Sequence, residues 1–368
     1  MLEKKVLHVV SIAFSLKYFV GNQFIYFSDR GVDYTVACSD SEDLHTYARE
    51  KRFRVFPVPI LRKISPLKDL RSIFVLASFM RREKFDIVVA HTPKGGLIGI
   101  LAAALARVPT RVYFRHGLVF ETSSGIKKKL LIIVEKLVSY FAHRIINVSN
   151  SVRKESEAFK LNNKSKNLLL GEGSCNGIDL RLYTPKNDVN YSDSITIGFV
   201  GRLSRDKGIT ELVRGWSLIQ EKYPKVRLLL VGPFDTRDTI PFETRLIINS
   251  SSSIAYLGEV ENASEYYAQM DVFILPSYRE GFPTVILEAS ASGLPVITTR
   301  KTGCIDAIKE GITGIYTELN PESIAQAIEY YLTQPEKRIE HGKLGRQWME
   351  ESFDEEIIYQ EIKKKILL

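Results

Sequence analysis

The chain is poor in the residues that build covalent staples and metal clusters. It has 368 residues and only 3 cysteines, Cys38, Cys175 and Cys304, which lie far apart with no CxxC pair and no Cys/His cluster. That spacing argues against a disulfide framework and a structural zinc site. It suits a reducing compartment. No apolar run reaches the roughly 18 residues that a membrane span needs. The N-terminus, MLEKKVLHVVSIAF, starts basic, but its apolar run is short and no small-residue cleavage site follows. It reads as a first core strand rather than a signal peptide, so the protein is expected to be neither exported nor integral to a membrane. Short-period repeats and low-complexity tracts are missing, and apolar segments recur along the whole length, which excludes disorder. There is no zinc-finger spacing, RNA-binding aromatic signature or helix-turn-helix pair. The net charge of +8 therefore points away from nucleic acid, toward an anionic membrane or a polyphosphorylated substrate.

What is present is a regular alternation of strand-like and helix-like segments. In the first half, strands are expected at Lys5–Val10, Tyr34–Cys38, Phe53–Val58, Asp86–Ala90, Arg111–Phe114 and Arg144–Val148. Helices are expected at Pro66–Arg82, Gly96–Ala106 and about Ile126–Ala142. In the first of these, Leu67, Leu70, Ile73, Phe74, Ala77 and Met80 share one face at helical spacing. The pattern restarts at Ile195, with a helix from Ile209 and strands at Arg227–Val231, Ile254–Tyr256, Asp271–Leu275 and Val296–Thr298. Continuous apolar strands between helices mean βαβ units and parallel sheets covered on both faces. The fold class is therefore α/β, with two Rossmann-like doubly wound domains facing across a cleft. The first spans 1–185 and is rejoined by the last helix, about 352–368; the second spans 186–351. The polar stretch Tyr183–Ser194 reads as the linker. Ligand is expected between the two domains.

The second half carries the densest chemistry. After the strand DVFILPS comes YREGFPTVILEASASG, residues 278–293. Gly281 permits a sharp turn, Pro283 suits a first helical turn, and Gly293 ends the helix. Free backbone N–H groups along the stretch from Phe282 to Val285, where Pro283 itself has none to offer, then form an anion site at a helix start. Glu280 and Glu288 can accept hydrogen bonds from sugar hydroxyls on either side of a phosphate. Just past the first strand of this half stand Gly201-Arg202 and Lys207-Gly208. Arg202 offers a planar fork and Lys207 a point charge, both suited to a diphosphate.

The ordered set GRLSRDKG, LLLVGP, YLGEV, MDVFILPSYREGFPTVILEASASGLPVI and GITG resembles the retaining GT-B glycosyltransferases of family 4. EGFPTVILE matches that family's paired-glutamate motif. The segment AHTPKGGLIGILAAALARVPTRVYFRHGLVFE resembles the subgroup that builds bacterial capsule, O-antigen and related lipid-linked glycans. The likeness covers nearly the whole chain. It implies transfer of a sugar from a nucleotide sugar, with a UDP-sugar expected, to a lipid-linked or glycan acceptor. The anomeric configuration is retained by a front-face route in which the leaving diphosphate helps take the acceptor's proton. The catalytic group so implied is His116, Glu280, Arg202 and Lys207, with His116 near the reacting sugar. Gly201, Glu288, Gly281, Phe282, Pro283, Thr284, Val285, Glu259, Val260, His91 and Lys94 would bind substrate. No DxD motif exists, and no metal or other cofactor is expected, the two cations and the helix end standing in for one. One departure is plain. Many relatives carry a Gly-Gly pair after the first strand, whereas this chain has Ser11-Ile-Ala-Phe-Ser-Leu-Lys, with Gly21 only later.

Blander readings stand beside these. His116 and His91 also suit hydrogen-bonded core positions, Lys94 a helix start, Arg202 and Lys207 solvated loops, and Glu259-Val260 a plain strand-end turn. The segment Gly125–His143, with Lys127, Lys128, Lys129 and Lys136 among apolar residues, fits either an ordinary core helix with a basic end or a peripheral contact with the inner face of the cell membrane. Two other functions use a similar donor pocket: a GT-B nucleotide-sugar epimerase and a non-catalytic nucleotide-sugar binder. The first needs acid/base carboxylates around the sugar and lacks the EGFPTVILE form. Turnover with an acceptor separates the second.

Overall fold

The computed structural model describes residues 3–61, 65–186 and 194–368. The chain divides into two compact units, Met1–Gly177 with Glu356–Leu368, and Ile178–Glu355.

Unit 1 is built on seven parallel strands: β1 (Lys4–Val9), β2 (Val32–Cys38), β3 (Arg54–Pro57), β4 (Ile87–His91), β5 (Thr110–Arg115), β6 (Arg144–Asn147) and β7 (Asn167–Leu168). Their order is β3-β2-β1-β4-β5-β6-β7, so the winding reverses between β1 and β4. The helices are α1 (Phe14–Val20), α2 (Gln23–Ser28), α3 (Glu42–Lys51), α4 (Pro66–Glu83), α5 (Pro93–Ala106), α6 (Gly125–Phe141) and α7 (Asn150–Ala158). One sheet face, with Leu7, Val9, Val88, Ala90 and Tyr113, packs under α4, α5 and α6. Glycine lets α5 lie close: a Cβ on Gly99 would sit 2.8 Å from the Val9 side chain, and one on Gly96 2.5 Å from the Tyr113 ring.

Unit 2 has six parallel strands: β8 (Thr196–Val200), β9 (Arg227–Val231), β10 (Ile254–Gly258), β11 (Val272–Leu275), β12 (Val296–Thr299) and β13 (Gly314–Thr317). Their order is β10-β9-β8-β11-β12-β13, reversing between β8 and β11. Its helices are α8 (Ile209–Lys222), α9 (Phe242–Ser250), α10 (Ser264–Tyr267), α11 (Thr284–Ala291), α12 (Pro321–Thr333) and α13 (Pro335–Ser352). α14 (Glu355–Ile362) follows, and from Glu356 the chain belongs to unit 1, where Tyr359 packs on Tyr26 and Phe27.

Three expectations need correction. Residues 178–185 belong to unit 2, and so do 352–355. Ile178 donates its backbone N–H to Phe353 O at 2.8 Å, and the Arg346 guanidinium holds the Tyr183 carbonyl at 2.6 Å. Of the expected linker, 187–193 lie outside the described residues. On α4 the buried stripe runs through Asp69, Ser72, Ile73, Leu76, Ala77 and Met80, while Leu67, Leu70 and Phe74 are exposed. Both stripes have helical spacing, and only the packing on α5 selects between them. Finally, Pro283 caps α11 from outside, at φ −76° and ψ 100°, and the first helical residue is Thr284.

Candidate active site

In doubly wound sheets, ligands bind beyond the carboxyl ends of the strands where the winding reverses. In unit 2 that point lies between β8 and β11, and the residues beyond those two strands are the ones the sequence singles out. Gly201 and Arg202 leave β8, while Pro276–Gly281 leaves β11. Gly208 carries the chain past Pro276 at φ +69°, and a Cβ there would fall 2.0 Å from the Pro276 carbonyl oxygen. That close approach brings Lys207 to Glu280, and the two form an ion pair with both side chains largely buried. The Glu280 backbone is anchored in turn, its N–H donating to Thr302 O at 2.9 Å. Arg202 is more exposed and pairs with Asp235, with Asp206 4.0 Å away. Asp206 has its carboxyl held below the usual range by the Ser204 hydroxyl and by Lys207 and Arg202, which outweigh its burial.

The helix α11 starts just beyond this pair. Thr284 and Val285 lie in its first turn, where backbone N–H groups have no acceptor inside the helix. Gly293, at φ +75°, closes the far end, with Gly293 N donating to Ser290 O and Leu294 N to Ala289 O. Phe282 is buried against Phe353. Glu288 is half-buried and accepts from the Tyr267 hydroxyl at 2.7 Å. Burial pushes its carboxyl above the usual range, against the hydrogen bonds from Tyr267 and Tyr183. Glu259 is exposed and Val260 half-buried at the end of β10. They adjoin Gly258, whose carbonyl accepts from Gly232 N at 2.7 Å, and Gly232 crowds the Gly201 carbonyl. One carboxyl edge of the sheet thus carries Gly201, Arg202, Lys207, Glu280 and the start of α11, with Glu259-Val260 at its flank.

In unit 1 the corresponding reversal lies between β1 and β4. His8, His91 and His116 cross it diagonally. His8 faces Val89 on the neighbouring strand, two residues before His91, and His91 faces Phe114, two residues before His116. Side chains two apart share a sheet face, so this register puts all three imidazoles on one face. His8 Nδ1 lies 3.0 Å from His91 Nε2, and His91 Nδ1 lies 2.9 Å from His116 Nε2. Phe19 of α1 stacks on His116 with ring centres 3.6 Å apart. Burial holds all three imidazoles below their usual range, His91 at about 3. Thr92, next to His91, has φ +66°, a conformation costly for a β-branched residue. Its hydroxyl caps α5 through Gly95 N at 3.3 Å. The Lys94 ammonium is paired with the largely buried Asp69 of α4. The segment that replaces the Gly-Gly pair runs into α1: Ser11 Oγ lies 3.3 Å from Thr92 Oγ1, and Gly21 takes φ +53°, where an added Cβ would fall 2.6 Å from the Asn176 side chain.

Motif reading missed Asp206, Asp235, Tyr183, Tyr267, Phe19 and His8. His8 alone left a trace, as the one polar residue inside the apolar run VLHVV. Among the described residues, no group of three or more His, Cys, Asp or Glu is arranged to hold a metal ion. The three histidines are strung nitrogen to nitrogen and do not converge. No helix among the described residues is long and apolar enough to cross a membrane.

Two doubly wound parallel-sheet units in one chain are the architecture of the GT-B fold. Residues 20–166 match the model of the Glycosyltransferase Family 4 group, and residues 194–334 match that of the Glycosyl transferases group 1. The chain is 33% identical over 370 residues to the capsular polysaccharide biosynthesis glycosyltransferase CapM of Staphylococcus aureus, covering 98% of this chain and 96% of that one. It is 29% identical to an Escherichia coli UDP-Gal:alpha-D-GlcNAc-diphosphoundecaprenol alpha-1,3-galactosyltransferase, over 78% of this chain and 76% of the relative. The solved structure of HepE from Anabaena in complex with UDP superposes with a TM-score of 0.80 over 98% of both chains, at 19% identity, which speaks for the fold. The chain belongs to the family 4 glycosyltransferases and is a glycosyl-transferring enzyme.

Proposed function

We propose that the protein transfers one sugar from a UDP-sugar to a lipid-linked diphosphate or glycan acceptor during assembly of a bacterial surface polysaccharide, with retention at the anomeric carbon and without a metal. The observation that carries this reading is the edge at the β8/β11 reversal, where Lys207 pairs with Glu280 and Arg202 and the first turn of α11 stand on the same edge. A diphosphate arriving there meets two cations and a helix start. Lys207 then bridges Glu280 and phosphate, and Glu280 keeps an oxygen for a sugar hydroxyl. Arg202, held by Asp235, presents its fork to the other phosphate. In the transfer the bond from the anomeric carbon to the departing diphosphate breaks, the acceptor oxygen bonds to that carbon, and the acceptor's proton passes to a departing phosphate oxygen. The protein supplies position and charge stabilisation. His116 takes the family's histidine role toward the transferred sugar. The uridine and the lipid diphosphate are favoured by the name of the Escherichia coli relative, and the polysaccharide by the name of the Staphylococcus aureus relative.

Peripheral contact with the inner face of the membrane draws support from α6. Ile126, Leu130, Ile133, Leu137 and Tyr140 are all exposed, spaced four and three apart along one stripe. Lys127, Lys129 and Lys136 are exposed beside it. An apolar stripe edged by lysines suits an anionic bilayer surface, where a lipid-linked acceptor resides.

The test is a thermal-shift screen in EDTA against UDP, GDP, ADP, CMP and a set of UDP-sugars. A ligand that binds only the folded protein raises its melting temperature. A shift with UDP or one UDP-sugar is expected. No shift with any of them, or a shift that appears only when magnesium is added, overturns the metal-free UDP-sugar reading.

A further inference from the structure

We infer that His8 and His91 are positioning residues that set the tautomer of His116 through a directional chain of hydrogen bonds. The proposal reaches beyond the donor site and rests on the proposed role of His116 for its catalytic meaning.

The geometry leaves few arrangements. A neutral imidazole has one N–H and one bare nitrogen. The chain has two nitrogen-to-nitrogen contacts, at 3.0 Å and 2.9 Å, and His91 sits in the middle using both of its nitrogens. Burial keeps these rings neutral. If His116 Nε2–H donates to His91 Nδ1, then His91 must carry its proton on Nε2 and donate to His8 Nδ1. His8 then carries its own proton on Nε2. In the opposite arrangement His8 Nδ1–H donates to His91 Nε2, His91 Nδ1–H donates to His116 Nε2, and His116 keeps a proton on Nδ1. Any mixed arrangement sets two N–H groups, or two bare nitrogens, against each other at hydrogen-bond distance, at the cost of a buried polar group left unpaired. The three rings therefore share one tautomer.

That coupling decides what the remaining His116 nitrogen offers. With all protons on Nε2 it is an acceptor for a sugar hydroxyl; with all protons on Nδ1 it is a donor. The surroundings hold the chain in place. Phe19 lies stacked over His116, and Phe24 and Tyr34 meet His8 edge-on with ring centres 4.9 Å and 5.5 Å away. The rings have little room to turn and swap nitrogens.

The experiment reads tautomers directly by long-range proton–nitrogen correlation on protein labelled with nitrogen-15 at histidine. The chain has only 6 histidines, so the resonances can be assigned by single substitutions. In the unsubstituted protein His8, His91 and His116 should all be Nε2–H or all Nδ1–H; a mixed set overturns the proposal. His8→Phe keeps the ring and removes both nitrogens, and His116 should then show a second set of resonances. His8→Asn keeps a polar atom near the Nδ1 position and should restore the single tautomer. An unchanged His116 spectrum in His8→Phe also overturns the proposal. No substrate enters these measurements, so their failure is separate from failure of the transferase reading. A His8→Phe protein that does not fold leaves the spectrum of the unsubstituted protein and that of His8→Asn to decide.

Discussion

Acidification should weaken unit 1 well before its carboxylates titrate. An imidazole in the unfolded chain takes a proton near pH 6.5. Folded His91 resists until about 3, because burial disfavours its charged form. Below pH 6.5 the unfolded chain therefore binds more protons than the folded one. The stability tied to His91 is complete above that pH and is lost as the pH falls. At pH 5 the gap is about 1.5 pH units, and at roughly 1.4 kcal/mol per unit the loss is about 2 kcal/mol. His8 and His116 shift in the same direction, first through burial and then through the charge of a protonated His91, and add to the loss. Native domains hold only about 5–15 kcal/mol in total. For a unit of this size, His91 alone corresponds to a drop in melting temperature of about 4–8 °C. The assay is calorimetry from pH 7.5 to 5. Hydrogen exchange assigns each transition to its unit, because a chain of two units need not unfold in one step. Unit 2 holds one buried histidine, His341, and is the internal reference. The unit 1 transition should fall faster than that of unit 2, and His91→Gln should flatten its slope. A unit 1 transition that is level from pH 7.5 to 5, or a variant as steep as the parent, refutes the reasoning.

Three further outcomes follow from the same geometry. Lys207→Ala and Glu280→Ala should each cut turnover by about a hundredfold to a thousandfold, as loss of a charge-stabilising group does, with normal far-ultraviolet circular dichroism; full activity in both sinks the donor-site assignment. Glu288→Gln should also cut turnover. Its carboxyl is raised by burial, so the ionised form costs stability above its unfolded value of 4.5, and at pH 7 the variant's unit 2 should melt no lower than the parent's. Ile133→Glu on α6 should abolish sedimentation with vesicles of anionic lipid while leaving UDP binding intact, and unchanged sedimentation removes α6 from the membrane contact.

Much of the architecture was written in local pattern. Strand and helix alternation, the restart at Ile195 and the EGFPTVILE stretch come from residues close in the chain, where backbone period and turn chemistry act. The strand at Arg227–Val231 falls where it was expected, and most others within two residues of their expected ends. Residue chemistry also singled out Lys207 for a diphosphate and Glu280 for a sugar hydroxyl, and the fold pairs the two side chains across 73 positions. What local pattern left open needed the third dimension. Two stripes on α4 had the same spacing, and contact with α5 chose the one that is buried. Lys94 carried a charge that suits substrate, and its pairing with Asp69 arises only because α4 packs on α5. Asp235 holds Arg202 from beyond β9, and Tyr267 reaches Glu288 from α10, at separations no motif spans. His8 shows the division best. As a residue it was one polar break in an apolar strand. Its alignment with His91 and His116 depends on the parallel register of three strands, and register is set by the packing of the whole sheet, not by any one strand.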